Sequence, residues 1–157
     1  MKSKLPYHKQ QTPFSCSLAC LRMVLETEGI KMEEYQLSPL VEYNPDIGVP
    51  IPFMVKACRA LNLKYKLLKL ATLDDLRHFA SKGLYTIVVL QASVYQKVLG
   101  KHGHMVVVKN ITDEDVIIND PDKEYGGEDK KVKLEVFLEA WTASKNWLLA
   151  IGVDDDK

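Results

Sequence analysis

The sequence predicts an α+β fold, in which a helical N-terminal half precedes a C-terminal antiparallel β-sheet. Apolar residues recur at helical spacing in the first half of the 157-residue chain and in short, β-branched segments in the second. Helices that precede strands, rather than alternating with them, favour an antiparallel sheet. A chain of this length buries roughly 70% of the surface that its unfolded form exposes. We therefore expect one domain that spans residues 1–157.

Helical spacing predicts three helices in the first half of the chain, over residues 16–28, 32–37 and 51–61. The first helix is expected to begin at Cys16, with Ser15 as its N-cap, and to stop at Gly29. The Pro- and Gly-containing segment 39–52 is typical of a loop.

The second half is expected to be dominated by strands, over residues 63–70, 85–90, 104–109, 116–119 and 147–153. Two further helices are predicted at 72–83 and 134–143. The first of them opens at Thr72 with a capping-box pattern in which Asp75 replaces the usual Glu. An acidic turn joins strands 104–109 and 116–119, which predicts a hairpin.

Composition excludes several classes of protein. The 21 basic and 21 acidic side chains cancel, which argues against a protein that coats nucleic acid or an anionic membrane. The longest apolar run, Leu84 to Leu90, is far shorter than the roughly 18 residues of a membrane span. The N-terminus lacks the apolar stretch of a secretory signal. Three cysteines, an odd number, make a poor disulfide framework. We therefore expect a cytoplasmic protein with no nucleic-acid partner and no membrane span.

Cys16 stands where a reactive thiol is expected. A cysteine in the first turn of a helix lies near free backbone N–H groups and the positive end of the helix dipole, and thiolate is the nucleophilic form. An upstream side-chain amide could join the cysteine's own N–H in binding an oxyanion. Gln10 is the candidate donor, with Gln11 as the alternative. Cys20 and Cys58 lie in apolar helical patterns and are expected to be buried structural thiols.

The second half of the chain supplies a candidate base and a group to orient it. His104 opens one predicted strand, and Asp120 follows the next strand immediately before Pro121. A hairpin would bring these two residues together. We expect the carboxylate to accept the Nδ1–H of the imidazole, which leaves the other ring nitrogen to face the thiol.

These residues resemble the double-glycine leader peptidase family, papain-like cysteine peptidase domains best known at the N-termini of bacteriocin-exporting ABC transporters. The shared features are Gln10, Cys16 followed by Leu18-Ala19-x-Leu21-x-Met23, then Gly103-His104-x-Val-Val-Val, then Asp120-Pro121. The resemblance covers about residues 5–150. It implies a papain-like fold and a bacterial cysteine peptidase with a Cys16, His104 and Asp120 triad, and Gln10 in the oxyanion hole. It also implies that no cofactor is needed, and a peptide or protein substrate with small residues such as Gly-Gly before the scissile bond.

The sequence departs from the family pattern in two ways. Ser15 and Ser17 flank the nucleophile where the family usually has Asp and Gly, although neither change removes a catalytic group. No phosphate-binding loop of the Gly-x-x-x-x-Gly-Lys-Ser/Thr type and no transmembrane segment follow. We therefore expect a stand-alone domain with no ABC transporter fused in this chain.

Three other interpretations remain open. The same fold could serve as a non-catalytic peptide-binding module, and the same Cys-His-Asp set could transfer an acyl group to an acceptor other than water. A zinc site is also conceivable, since thiolate and imidazole are the usual ligands of zinc, with the candidate ligands Cys16, Cys20, His102 and His104. The zinc interpretation leaves Gln10 and Asp120 without a role, so we predict no metal.

Overall fold

The computed structural model describes residues 4–97 and 102–153. The helices in these ranges are α1 (Cys16–Thr27), α2 (Glu34–Leu37), α3 (Ile51–Ala60), α4 (Leu73–Ser81), α5 (Ala92–Tyr95) and α6 (Leu134–Ala143), with a 3₁₀ turn at Ser38–Leu40. The strands are β1 (Tyr65–Leu68), β2 (Thr86–Gln91), β3 (Gly103–Ile111), β4 (Asp115–Asp120), β5 (Gly127–Lys133) and β6 (Leu148–Ile151).

All of these strands belong to one sheet with the order β1-β6-β2-β3-β4-β5. Every neighbouring pair is antiparallel. The predicted hairpin is present, because β3 pairs with β4. The mixture of helices with an antiparallel sheet confirms the predicted α+β class.

Helices cover both faces of the sheet. Successive strand residues point to opposite faces, so β3 divides its side chains between two apolar clusters. Met105 and Val107 pack with α1 and α3 on one face. Val106 and Val108 pack with α4 and α6 on the other face. Burial on both faces explains why the central residues of β2 and β3 are continuously apolar.

Two elements were not predicted. Strand β5 consists largely of charged residues, and it pairs only with β4, at the edge of the sheet. An edge strand with solvated side chains lacks the apolar alternation by which a strand is recognised. Helix α5 has four residues, which is too few for a helical period to be visible in the sequence. Its last residue, Tyr95, proves central to the candidate site.

The sequence signals predicted two helix ends correctly, the start of α4 and the end of α1. Thr72 and Asp75 form the predicted capping box at the start of α4, with reciprocal side-chain to backbone hydrogen bonds. Gly29 follows α1 with a φ of 82°, a conformation that glycine adopts without strain. No helix in the described ranges is long and apolar enough to span a bilayer.

Candidate active site

Helix α1 begins at Cys16, and the half-buried side chain of Cys16 faces a cleft. Ser15 occupies the N-cap position as predicted, but its side chain makes no capping hydrogen bond to the helix. The Ser15 hydroxyl is used elsewhere: it accepts the N–H of Thr12 at 3.0 Å and donates to the carbonyl of Thr12 at 3.2 Å. The first N–H groups of α1 therefore have no side-chain cap from Ser15.

His104 and Asp120 form a buried pair, with His104 Nε2 and Asp120 Oδ1 only 2.6 Å apart. The side chain of Asp120 is completely buried, while His104 reaches the cleft with its exposed edge. The expectation that Nδ1 would meet the carboxylate is wrong, because the far nitrogen of the ring, Nε2, extends to Asp120. Nδ1 is thereby left for the thiol of Cys16, which lines the same cleft as His104.

Asp120 is held by more than the imidazole. The phenol of Tyr95 donates to Oδ2 at 2.5 Å, and the backbone N–H of Asp122 donates to Oδ1 at 2.9 Å. The Tyr95 ring also stacks against the His104 ring, with an interplanar angle of 12° and 6.3 Å between centroids. Tyr7 donates to the backbone oxygen of Asp120 at 2.7 Å. Both carboxylate oxygens are therefore fixed in direction.

Electrostatic interactions favour the ionic form of this pair, an imidazolium at His104 and a carboxylate at Asp120. Burial alone would lower the pKa of His104, but its hydrogen bonds to Asp120 and Cys16 raise the pKa to about 10. Burial alone would raise the pKa of Asp120, but the hydrogen bond and charge of His104, together with Tyr95, hold that pKa below its usual value. Burial and the charge of Asp120 raise the pKa of Tyr95 well above its ordinary value, so Tyr95 remains a donor.

Gln10 is buried next to Cys16 and lines the same cleft. Its Nε2 donates to the carbonyls of Thr12 at 3.0 Å and Pro13 at 3.1 Å. Its backbone N–H donates to the carbonyl of Pro121 at 2.8 Å, which ties it to the turn that follows Asp120. Gln11, the alternative donor, is exposed on the outside of this segment. The geometry therefore favours Gln10 over Gln11 as the amide that could reach a substrate carbonyl.

The cleft has a volume of about 770 Å³, and Gln10, Cys16 and His104 lie along it. Much of its remaining lining is apolar, including Phe14, Ile47, Val49, Ile51 and Trp147. Gly48 lets the loop before α3 approach the chain just ahead of Cys16: a Cβ at Gly48 would lie 2.9 Å from the Phe14 carbonyl oxygen. Such a cleft can accommodate an extended peptide against the thiol.

The other cysteines take no part in this site. Cys20 and Cys58 are both completely buried, as predicted. Burial, followed by the charge of Cys16, raises the pKa of the Cys20 thiol, and burial raises that of Cys58 to about 11. Within residues 4–97 and 102–153, no three His, Cys, Asp or Glu side chains come together as a metal site requires.

Neither Tyr95 nor Tyr7 was predicted from the sequence as a residue of the site. Tyr95 lies at the end of a four-residue helix, and Tyr7 lies in the extended N-terminal segment, 113 residues away from the oxygen it binds. A buried tyrosine usually has a partner for its hydroxyl. That rule indicates that a partner exists, but it does not say which residue the partner is.

A comparison with known families identifies the family of this chain. The model of the peptidase C39 family matches residues 4–150 of the sequence. The chain belongs to the peptidase C39 family. Membership in C39 supports a peptidase role of the cysteine type and confirms the predicted family. No curated protein sequence matches the chain.

Solved structures similar to this C39 chain share its fold over almost their whole length. A C39-like peptidase from Bacillus anthracis is 19% identical, with 96% of each chain covered and a TM-score of 0.79. The peptidase domain of Streptococcus ComA, a bi-functional ABC transporter of a quorum-sensing pathway, is 20% identical, with a TM-score of 0.76 over 96% of this chain and 100% of that domain. A double glycine motif protease from an AMS/PCAT transporter, in complex with the leader peptide, is 22% identical, with a TM-score of 0.72 over 98% of this chain and 94% of the other.

Proposed function

We propose that this C39 member cleaves peptide bonds with Cys16 as nucleophile, His104 as general acid and base, and Asp120 as the group that orients the imidazole. The observation that carries the proposal is the buried 2.6 Å contact between His104 Nε2 and Asp120 Oδ1, at a cleft that Cys16 and His104 both line. A thiol, an imidazole and a carboxylate in this order are the groups that nucleophilic acyl transfer needs.

The first step forms a bond between the Cys16 sulfur and the substrate carbonyl carbon. The proton of the thiol resides on His104, whose raised pKa favours the imidazolium beside Asp120. The imidazolium then gives that proton to the leaving amine as the C–N bond breaks, which leaves an acyl group on Cys16. His104 next takes a proton from water, and the oxygen of that water bonds to the acyl carbon as the C–S bond breaks, which releases the acid and restores the Cys16 thiolate.

We assign the stabilisation of the negative charge on the tetrahedral intermediate to two donors, the backbone N–H of Cys16 and the side-chain amide of Gln10. Both hydrogens of Gln10 Nε2 are directed at carbonyls in the free protein. A hydrogen bond to a charged oxygen is roughly twice as strong as one to a neutral carbonyl. We therefore expect one hydrogen of Gln10 to leave a carbonyl and bind the oxyanion once it forms.

The proposed substrate is an extended peptide with small residues, such as Gly-Gly, immediately before the scissile bond. Two observations support this choice: the double-glycine resemblance of the motif, and the similar fold of a structure described as a double glycine motif protease bound to its leader peptide. Residues without bulky side chains let the substrate backbone approach the thiol closely. A cytoplasmic location remains a prediction, as does the extent of the domain.

The proposal is tested with two synthetic peptides that differ only in Gly-Gly against Val-Val before one bond. We expect cleavage of the first alone, detected by mass spectrometry, no cleavage by Cys16→Ala, and normal cleavage by the control Cys58→Ala. Peptide binding without cleavage would indicate a binding module. A product joined to an added amine instead of water would indicate acyl transfer. Unchanged cleavage by Cys16→Ala would exclude Cys16 as nucleophile.

A further inference from the structure

One buried carboxylate has no part in the mechanism above. Glu34 begins the short helix α2 and is only 4% exposed. Its Oε2 accepts the backbone N–H of Gln11 at 3.0 Å. This contact lies on the segment 10–16, which we call the oxyanion segment because it runs from Gln10 to Cys16.

The oxyanion segment is fastened on its other side by the turn that follows Asp120. Lys123 Nζ donates to the carbonyl of Gln11 at 3.0 Å, and the carbonyl of Pro121 accepts the N–H of Gln10 at 2.8 Å. Gln11 is therefore held through both of its backbone polar groups, by Glu34 at the N–H and by Lys123 at the carbonyl. Because Lys123 is exposed and Glu34 is buried, Glu34 is the more rigid of the two attachments.

The negative charge of Glu34 does not stabilise the fold at this position. Burial raises the pKa of Glu34, and the hydrogen bonds from Ser15 and Gln11, with the charges of Arg22 and Lys123, only partly offset that effect. The ionised side chain is thus harder to bury here than a neutral one of the same shape. Its contacts, rather than its charge, account for what it does at this site.

We propose that Glu34 is a positioning residue that fixes the oxyanion segment, so that the Gln10 amide and the Cys16 N–H stand ready for the oxyanion. This assignment rests on the proposed function. Glu34 does not touch the reacting atoms, and it acts through the backbone of Gln11. A shift of about 1 Å in such a segment can lower a rate by on the order of 100-fold.

The test separates oxyanion stabilisation from the reactivity of the thiol. Peptide cleavage passes through a tetrahedral oxyanion, whereas alkylation by iodoacetamide forms an S–C bond as iodide leaves and develops no oxyanion. We expect Glu34→Ala to lower kcat by about 10- to 100-fold with little change in KM. The rate of Cys16 alkylation should stay at the wild-type value.

Three further variants sharpen this test. Glu34→Gln keeps an acceptor oxygen for the Gln11 N–H and should restore most of the wild-type kcat. Glu34→Asp keeps the charge but shortens the side chain by one methylene, which moves the acceptor oxygen away from the Gln11 N–H, so kcat should fall. This variant provides the test if Glu34→Ala does not fold. Glu139→Ala removes an exposed glutamate from α6 and serves as the control with unchanged kinetics.

Each outcome either supports or overturns the assignment. Wild-type kcat in both Glu34→Ala and Glu34→Asp would overturn it, as would an equal fall in cleavage and alkylation, since Glu34 would then act on the thiol or on the whole fold. If the wild-type protein cleaves no peptide, the proposed function fails and the role of Glu34 fails with it. Active wild-type protein beside fully active Glu34→Ala and Glu34→Asp variants overturns the role of Glu34 alone.

Discussion

The Tyr95 phenol donates to Oδ2 of Asp120 at 2.5 Å, while the other oxygen of the same carboxylate meets His104 Nε2 at 2.6 Å. Tyr95 also stacks on the His104 ring. One aromatic side chain therefore fixes the carboxylate and lies against the imidazole that the carboxylate orients. The direction of the imidazole follows from this three-residue arrangement rather than from Asp120 alone.

Tyr95→Phe removes the hydroxyl and keeps the stacked ring. A buried Oδ2 without a donor costs about 1–3 kcal/mol of folding free energy, measured by urea unfolding. We expect peptide cleavage to fall by on the order of tenfold, which corresponds to about 1.4 kcal/mol of transition-state stabilisation. Tyr35→Phe is the matched control, because Tyr35 is 73% exposed. Equal kinetics for the two variants would show that the phenol does not help to orient Asp120.

Two adjacent glycines give a matched pair for the turn behind Asp120. A Cβ at Gly126 would lie 2.3 Å from the Asp120 carbonyl oxygen, whereas a Cβ at Gly127 would meet no atom within 4 Å. We expect Gly126→Ala to lower the free energy of unfolding by about 1–3 kcal/mol through overpacking. Cleavage should also fall, because the added methyl group displaces the turn and with it Asp120. Gly127→Ala should leave both measurements close to wild type. The reverse order would mean that the turn does not position Asp120.

The His104 pair makes stability depend on pH with a defined sign. Its hydrogen bonds outweigh burial and raise the pKa of His104 from 6.5 to about 10. The folded protein thus holds this proton more tightly than the unfolded chain. The stabilisation is complete below about pH 6.5 and is lost as the pH rises through about 10. The difference in unfolding free energy between wild type and His104→Gln should therefore shrink over that range. A difference that stays constant with pH would contradict the ion pair.

Alkylation of Cys16 reports on the same pair in native protein. An imidazolium at His104 stabilises the thiolate, which is the form that iodoacetamide attacks. We expect Cys16 to be alkylated at about pH 6 much faster than in unfolded protein, where no imidazolium lies beside the thiol. His104→Ala should remove this advantage, while Cys20 should remain unmodified in the folded state because it is completely buried. Equal rates in native and unfolded protein would argue against Cys16 as the nucleophile.

Residue patterns predicted most of the regular structure because those patterns are local. Helix α6 runs over the expected residues, and the capping box of Thr72 and Asp75 opens α4. The β-branched strands β2, β3 and β4 were all expected, and the hairpin of the last two follows from a short turn. Strand β5 was not predicted. This charged edge strand is held by backbone pairing to β4 and not by an apolar face, so its sequence lacks a strand pattern.

The sequence by itself determined the family, the α+β class, and the candidates Gln10, Cys16, His104 and Asp120, since each depends on residue types at characteristic spacings. Only the tertiary structure decided which nitrogen of His104 meets Asp120, and that Tyr95 holds the other carboxylate oxygen. These contacts join residues 16 to 25 positions apart, and the N-terminal segment meets the Asp120 turn across 112 or 113 positions. A hydrogen bond needs its two atoms within about 3 Å. Between such distant residues, that proximity is produced by the packing of whole elements and is not encoded in any local pattern.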